Sequence, residues 1–580
     1  MSDKNLLAPK VQKRTLSGAQ IFMEALRKEG VEQIFGYPGG VILSIYNEFS
    51  NYDDIKHYLV RHEQAAVHAA EGYARATGKP GVVLVTCGPG ACNTVTGIAN
   101  AFYDGYPIVV FTGQVDSDLI GNDAFQEADT FNITSPCCKH NYLVKNVKDL
   151  PRIIKEAFHI ATTGKPGPVL IDLPKDVLSA KTEFKYPDKV DLPGYNPTYT
   201  GHPLQIKKAL HLLYKAKTPV IIAGGGIIAS NASNELTQFA RILRVPVANT
   251  LMGTGTFPGE DELCLGMMGM HGNYWTNMAI SHCDVLFAIG TRFSDRVTGK
   301  LEKFCPDAKI IHVDIDPCSI SKNVPVDIPI VGDARNVLVD MLNVVSQQEA
   351  EKTYLKRKIW LDEITEWKKV KPVLKHKKDE LMPQVVVEEI YGFVKNKDVI
   401  VTTEVGQHQM WAARLCKFSE PRRFITSGGL GTMGFGFPAA MGAQIAYPDR
   451  LVMDIAGDGS FQMNIQELAT CVEYNIPVKI CVLNNGYLGM IRQLQHVLFN
   501  KKYSQCQLSG PDFVKVAEAY GAVGLRVTKE EEIIPVLTKA YEINRPVVID
   551  FIVQPEEIVY PWVLTGDPLS KILLESPEGV

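Results

Sequence analysis

The chain has 580 residues, 46% hydrophobic and 21% charged, a composition far from that of disordered or fibrous proteins. Its net charge of −4, with no long basic block, leaves no electrostatic footprint for nucleic acid or an anionic membrane, so small molecules are the expected partners. There is no apolar run of membrane-spanning length, and the opening MSDKNLLAPKVQKRTL has neither the apolar centre of a signal peptide nor a long Arg/Ser-rich leader. A cytoplasmic protein is expected.

In chain order, SGAQIFMEALRKEG has helical spacing and VEQIFGYPGG reads as a strand and turn. A helix follows around EQAAVHAAEGYARATG, then the apolar runs GVVLVTCGPG and PIVVFTGQ. This first domain, 15–185, closes after KPGPVLIDLPKDV, and KYPDKVDLPGYNPTYTGHP reads as a linker. A second domain, 200–345, runs through TPVIIAGGGI, VLFAIGTRFSD and KIIHVDIDP. The charged stretch SQQEAEKTYLKRKIWLDEITEWKKVK is expected as a solvated connecting helix. A third domain, 380–560, carries DVIVTTEVGQ, LVMDIAGDGS, PVKICVLNNG and PVVIDFIV, and a tail, 561–580, follows. Helices alternating with strands predict an α/β fold of three doubly wound, mainly parallel-sheet domains. The twelve cysteines form no C-x-x-C pair, so buried free thiols are expected, Cys137 and Cys138 among them.

Asp458 lies between two glycines directly behind the apolar run Leu451–Ile455. Ligands of open parallel sheets bind beyond the carboxyl ends of strands, where glycines let the backbone approach a phosphate. A carboxylate there repels phosphate unless a divalent cation intervenes. Asn484–Asn485 follow the next apolar run at the equivalent place, and neighbouring oxygens of this kind suit Mg²⁺. Taken singly, Asp-Gly and Asn-Gly are ordinary turn dipeptides; the paired spacing favours the metal.

Glu63 opens a predicted helix, where an acid is favoured by the helix dipole and a capping role is the simple explanation. A zinc-protease reading of His62-Glu63 fails because His68 stands six positions on, not four.

The run GDGSFQMNIQELATCVEYNIPVKICVLNNGYLG resembles the signature of thiamin-diphosphate enzymes. The resemblance implies that Asp458, Asn485 and the main chain of Tyr487 hold Mg²⁺ against a diphosphate. It also implies that Glu63, in its RHEQ context, holds the aminopyrimidine N1′, with this acid on one subunit and the metal on the other. YPGG, AAEGYARATGKPG, GPGACN, DAFQEAD, GPVLIDLPKD, EVGQHQMWAA and SGGLGTMGFGFPAAMGA together extend the likeness to the catalytic large subunits of acetohydroxyacid (acetolactate) synthases, over residues 15–565. This resemblance implies decarboxylation of pyruvate and transfer of its two-carbon unit to pyruvate or 2-oxobutanoate, a step toward valine, leucine and isoleucine.

Implied thiamin-diphosphate contacts are Glu63, Gln126, Gln407, His408, Gly431, Thr432, Met433, Asp458, Gly459, Ser460 and Asn485. Met433 is expected to prop the cofactor in a bent shape, although a core methionine is the plainer alternative. FAD contacts are implied at Gly225, Gly226, Thr250, Leu251, Met268, His271, Gly290, Arg292, Asp314, Ile315, Asp333 and Ala334. Lys165 stands where the family usually has arginine for this contact. Because the implied reaction has no net redox step, the flavin is expected to be structural. The resemblance implies that Arg296 meets the second substrate's carboxylate and orients the acceptor with Gln126, and that Phe125 is a further catalytic-site residue.

Leu494 replaces a tryptophan common in the family, which predicts a lower preference for 2-oxobutanoate and poor inhibition by sulfonylurea-type herbicides. VYPWVLTGDPL is expected to close the site. A homodimer or dimer of dimers is implied, with a small regulatory subunit as a candidate partner. A flavin-using pyruvate oxidase or decarboxylase and a cofactor-free interaction protein are the alternatives.

Overall fold

The structure is a computed structural model that describes residues 14–372 and 380–576. The leader segment 1–13 and tail residues 577–580 lie outside the described residues.

Three six-stranded, wholly parallel sheets carry the fold. Runs such as GVVLV at Gly81–Val85 and VLFAI at Val285–Ile289 are buried along their whole length, which is why they read as continuous apolar stretches rather than alternating ones. The N-terminal sheet takes Gln33–Tyr37, Lys56–Leu59, Gly81–Val85, Ile108–Gln114, His140–Leu143 and Val169–Pro174 in the spatial order 2-1-3-4-6-5. The C-terminal sheet takes Val399–Thr403, Phe424–Thr426, Leu451–Gly457, Lys479–Asn484, Val523–Val527 and Val547–Ile552 in the same order. The central sheet differs. Its strands Pro219–Ala223, Val247–Asn249, Cys264–Met267, Val285–Ile289, Lys309–Asp314 and Ile328–Val331 lie 3-2-1-4-5-6, the order of dinucleotide-binding folds.

The outer two sheets share one core. Helix Glu63–Thr77 crosses helix Gly436–Ala446 so closely that a Cβ on Gly72 would lie 2.2 Å from the Ala439 carbonyl oxygen, and one on Gly442 1.9 Å from that of Ala69. Val67 and Tyr73 pack in the same cluster as Phe435 and Met441. The expected linker has no helix or strand from residue 184 to 202 and is pinned by Tyr186 donating to Glu29 (2.7 Å) and Tyr195 donating to the Thr163 carbonyl (2.7 Å).

Two expectations are corrected. The stretch 346–371 is helical as expected, but it forms two helices, Gln347–Lys352 and Tyr354–Trp367, and the second is docked on the central domain instead of being solvated. Arg357, fully buried, donates to the carbonyls of Leu213 and Ala216 (2.6 Å each) and Leu243 (3.3 Å), and so serves the carboxyl ends of two helices. Trp360 donates its indole N–H to Pro219 O (3.2 Å). The cysteines are all free, but Cys92 and Cys318 are exposed and Cys137 and Cys264 half-buried, because they fall in turns or at element ends rather than inside strands. No helix among the described residues is long and apolar enough to cross a membrane.

Candidate functional site

In the central sheet the order reverses between Pro219–Ala223 and Val285–Ile289, and the turns after these strands meet at the crevice. Only glycines fit there: a Cβ on Gly226 would lie 2.6 Å from the Gly290 Cα. In the C-terminal sheet the reversal falls between Val399–Thr403 and Leu451–Gly457, whose ends deliver Gln407 and Asp458.

A single cavity of about 930 Å³ joins the two crevices. Its central-domain wall carries Gly225, Gly226, Thr250, Leu251, Met268 and His271, then Gly290, Arg292, Asp314, Ile315, Asp333 and Ala334, with Lys165 reaching in from the first domain. The opposite end carries Gln407, His408, Gly431, Met433, Asp458, Gly459, Ser460, Asn485 and Tyr487. Arg296 and Leu494 line it too. Thr432 does not: its hydroxyl donates to Asn100 Oδ1 (2.8 Å) within the protein.

Asp458 is buried, and its carboxyl accepts from main-chain N–H groups, the Gly486 N–H meeting its Oδ2 at 3.1 Å. Burial pushes its carboxyl up to about 6, against hydrogen bonds from main-chain N–H groups. A buried acid so placed is better satisfied by a cation. Asn484 turns away to Asp550 (2.9 Å), which leaves Asn485, whose Oδ1 accepts from Tyr487 N (3.0 Å), on the cavity side. No cluster of three His, Cys, Asp or Glu side chains is poised to hold a metal among the described residues. A cation at Asp458 therefore depends on amide, main-chain and ligand oxygens, which is the donor set Mg²⁺ takes with phosphates.

Two buried imidazole nitrogens facing the cavity, His408 Nε2 and His271 Nδ1, have no partner among the described residues. Burial lowers both rings, to about 4 and about 3, so both are neutral at pH 7 and each can meet a ligand's polar atom. The residues thus fit a diphosphate with its cation at one end and a dinucleotide at the other. Across the central crevice Lys165 and Arg292 face Asp314; burial raises Asp314 to about 6 and lowers Lys165.

Arg296 is mostly exposed and, among the described residues, makes a 3.5 Å contact with Asp295 and a 3.8 Å contact with Met270 Sδ, both through Nη1, so its other N–H groups can take a carboxylate. The segment after residue 557 folds over the cavity: Trp562 lines it, stacks on His271 (centroids 5.9 Å apart) and packs with Tyr560, Met270 and Leu494.

Glu63, Phe125 and Gln126 are elsewhere. Glu63 and Gln126 each approach the turn after strand Gly81–Val85. Glu63 Oε2 accepts from Asn93 (2.9 Å), and Gly88 packs directly on the Gln126 carbonyl, where a Cβ would come within 2.4 Å. Phe125 is 88% exposed. The predicted residues therefore form two separate groups in one chain. Sequence reasoning missed Asn93 and Gln493. The latter accepts from Gln407 (2.9 Å) and from Val559 N (2.9 Å), tying the diphosphate end to the covering segment, and nothing local in GMIRQLQ signals that role.

Residues 16–133, 206–341 and 404–551 match, respectively, the N-terminal TPP-binding, central and C-terminal TPP-binding domain families of thiamine pyrophosphate enzymes. Fold and site together define a thiamine pyrophosphate enzyme. The chain is 49% identical to the acetolactate synthase large subunit of Haemophilus influenzae and 48% identical to the acetolactate synthase isozyme 3 large subunit of Escherichia coli. Each alignment covers 97% of this chain and 99% of the relative. It is also 50% identical to a probable acetolactate synthase large subunit of Methanocaldococcus jannaschii, over 96% of this chain and 95% of that one. The chain belongs to the acetolactate synthase large-subunit family.

Proposed function

We propose that this protein decarboxylates pyruvate and joins the two-carbon unit to a second 2-oxoacid, giving 2-acetolactate from pyruvate or 2-aceto-2-hydroxybutanoate from 2-oxobutanoate. The observation that carries this is the continuous cavity. Its metal-type end, at Asp458 and Asn485, opens into the dinucleotide-type crevice of the central domain beside the exposed guanidinium of Arg296, in a chain nearly half identical to acetolactate synthases along its length.

When bound, thiamin diphosphate supplies a carbon nucleophile and an electron sink for loss of CO₂. Asp458, Asn485 and the Tyr487 carbonyl are the proposed holders of Mg²⁺. Gln407, His408, Gly431, Met433, Gly459 and Ser460 shape the diphosphate end. Glu63 keeps a proton at the pyrimidine N1′, and Asn93 orients its carboxyl. Arg296 grips the acceptor's carboxylate through paired N–H groups, with Gln126 and Phe125 beside it. Trp562 and Tyr560 exclude water. FAD is proposed for the central crevice, where the unpartnered His271 nitrogen and the Gly226–Gly290 approach support a dinucleotide with a structural role.

Because Glu63, Gln126 and Phe125 are not on the cavity of their own chain, the working unit is proposed to be at least a homodimer. The name "large subunit" of the relatives supports a smaller partner chain as well. The test is anaerobic incubation with pyruvate, Mg²⁺ and thiamin diphosphate, then acidification: acetoin derived from 2-acetolactate is expected. Acetaldehyde alone, or acetate formed only with oxygen, would assign the chain to the decarboxylase or oxidase reading instead.

A further inference from the structure

We infer that Glu467, a buried acid of the C-terminal domain, is a positioning residue for Glu63 of its own chain. This rests on the proposed role of Glu63.

The turn Leu59–His62 delivers Glu63 from strand Lys56–Leu59 to the first position of helix Glu63–Thr77. This turn is held by the other domain. Glu467 Oε1 and Oε2 both accept from Arg61 N (2.9 and 3.1 Å), and the His62 N–H also bonds to this carboxylate. Thr470 donates to Glu467 Oε2 (2.7 Å) and lies 3.3 Å from the Leu59 carbonyl, Tyr474 OH accepts from Leu59 N (3.1 Å), and Arg61 pairs with Glu473. Glu467 has no solvent exposure, and its partners among the described residues are N–H and O–H donors, which hold down a carboxyl that burial pushes up to about 7. His62 is the N-cap of the Glu63 helix, its Nδ1 accepting from Gln64 N (3.1 Å). Fixing the N–H groups of residues 61 and 62 therefore fixes where the helix begins and where the Glu63 side chain leaves it.

Glu467 sits on the segment that starts at Asp458, and Asn464 of this segment donates to Gly434 O (2.6 Å), next to Met433. One stretch thus touches the diphosphate end and the Glu63 turn of the same chain. In a dimer that shares sites across chains, these two ends serve different active sites. The effect of Glu467 must therefore appear in the site completed by the partner, not in the one that uses its own chain's Asp458.

The test uses full-length mixed dimers with distinct tags. Glu467→Ala homodimers are expected to lose about 10²-fold in kcat, the scale of a catalytic group misplaced by about 1 Å. The isosteric Glu467→Gln, which keeps one acceptor, should recover much of that. An unchanged kcat in both would overturn the proposal. A control dimer of one Glu63→Gln chain with one Asp458→Ala chain should keep one complete site; if it is dead, the shared-site reading fails independently of Glu467. Against that control, Glu467→Ala paired with Asp458→Ala should be equally active, whereas Glu467→Ala paired with Glu63→Gln should be as impaired as the Glu467→Ala homodimer. The reverse pattern would mean that Glu467 serves its own Asp458 end, and would sink the inference.

Discussion

Each proposed catalytic side chain is held by one or two specific neighbours. Glu63 has its carboxyl tethered by Asn93, so Glu63→Gln keeps the shape but loses the proton-holding acid. Its kcat is expected to fall by at least about 10²-fold, the usual worth of an acid–base group, while calorimetry still shows Mg²⁺-dependent thiamin-diphosphate binding at the Asp458 end. Retained turnover would remove Glu63 from the mechanism. Leu494 lines the cavity and packs on Tyr560 and Trp562, presenting a small aliphatic surface where a ring would offer more area to an extra methylene. Leu494→Trp is predicted to raise the preference for 2-oxobutanoate over pyruvate about tenfold in direct competition, within the range a single methylene can be read. An unchanged product ratio would mean that residue 494 does not meet the acceptor.

Individual elements show how buried charge keeps the site in shape. Glu404, at the end of strand Val399–Thr403, accepts from Gly434 N (2.7 Å) and Phe437 N (3.0 Å), fixing the turn just past Met433 and the start of helix Gly436–Ala446. Burial pushes its carboxyl up from 4.5 to about 7, and the neighbouring buried Asp454 is raised for the same reason and by the Glu404 charge. An acid whose folded pKa exceeds its unfolded one binds its proton more tightly when folded. Its contribution to stability is complete below pH 4.5 and is lost as pH rises to about 7. Glu404→Gln should therefore flatten the fall in Tm across this window; parallel curves for variant and parent would contradict the assignment.

Arg357 makes the same point on the central domain, where one guanidinium serves three carbonyls. Arg357→Met should destabilise by about 1–3 kcal/mol, the cost of leaving buried acceptors unpaired, and scanning calorimetry would register a lower Tm. No change in Tm would show that those carbonyls find other partners.

Across the whole molecule, what the sequence made legible follows from the range of each interaction. Continuous apolar runs ending in glycine or Asp/Asn-Gly turns are local signals, so the strands and the carboxyl-end positions of Asp458 and Asn485 could be read directly. For Tyr354–Trp367 the helical character was legible from the apolar spacing, but its docking was not: buried Arg357, Trp360 and Ile364 share one helical face amid charges, and an arginine that serves carbonyls looks in sequence like one that faces water. Thr432 was read with its glycine-rich neighbours as a cofactor contact, but its hydroxyl is taken by Asn100 from the first domain. Glu467 joins residues 406 positions apart and leaves no local trace. The merging of two crevices into one cavity likewise depends on how whole domains pack, although residues on both of its walls were named from motif resemblance.

The chain divides its proposed machinery into a Glu63 group and an Asp458 group that do not meet in one cavity. Two copies of the chain are proposed to complete each other. A crystal structure with thiamin diphosphate and Mg²⁺ tests it directly. One cofactor is expected whose pyrimidine N1′ is hydrogen-bonded by Glu63 of one protomer while its diphosphate and metal are held by Asp458 and Asn485 of the other. A cofactor bound by Asp458 with no Glu63 from either protomer in reach would contradict it.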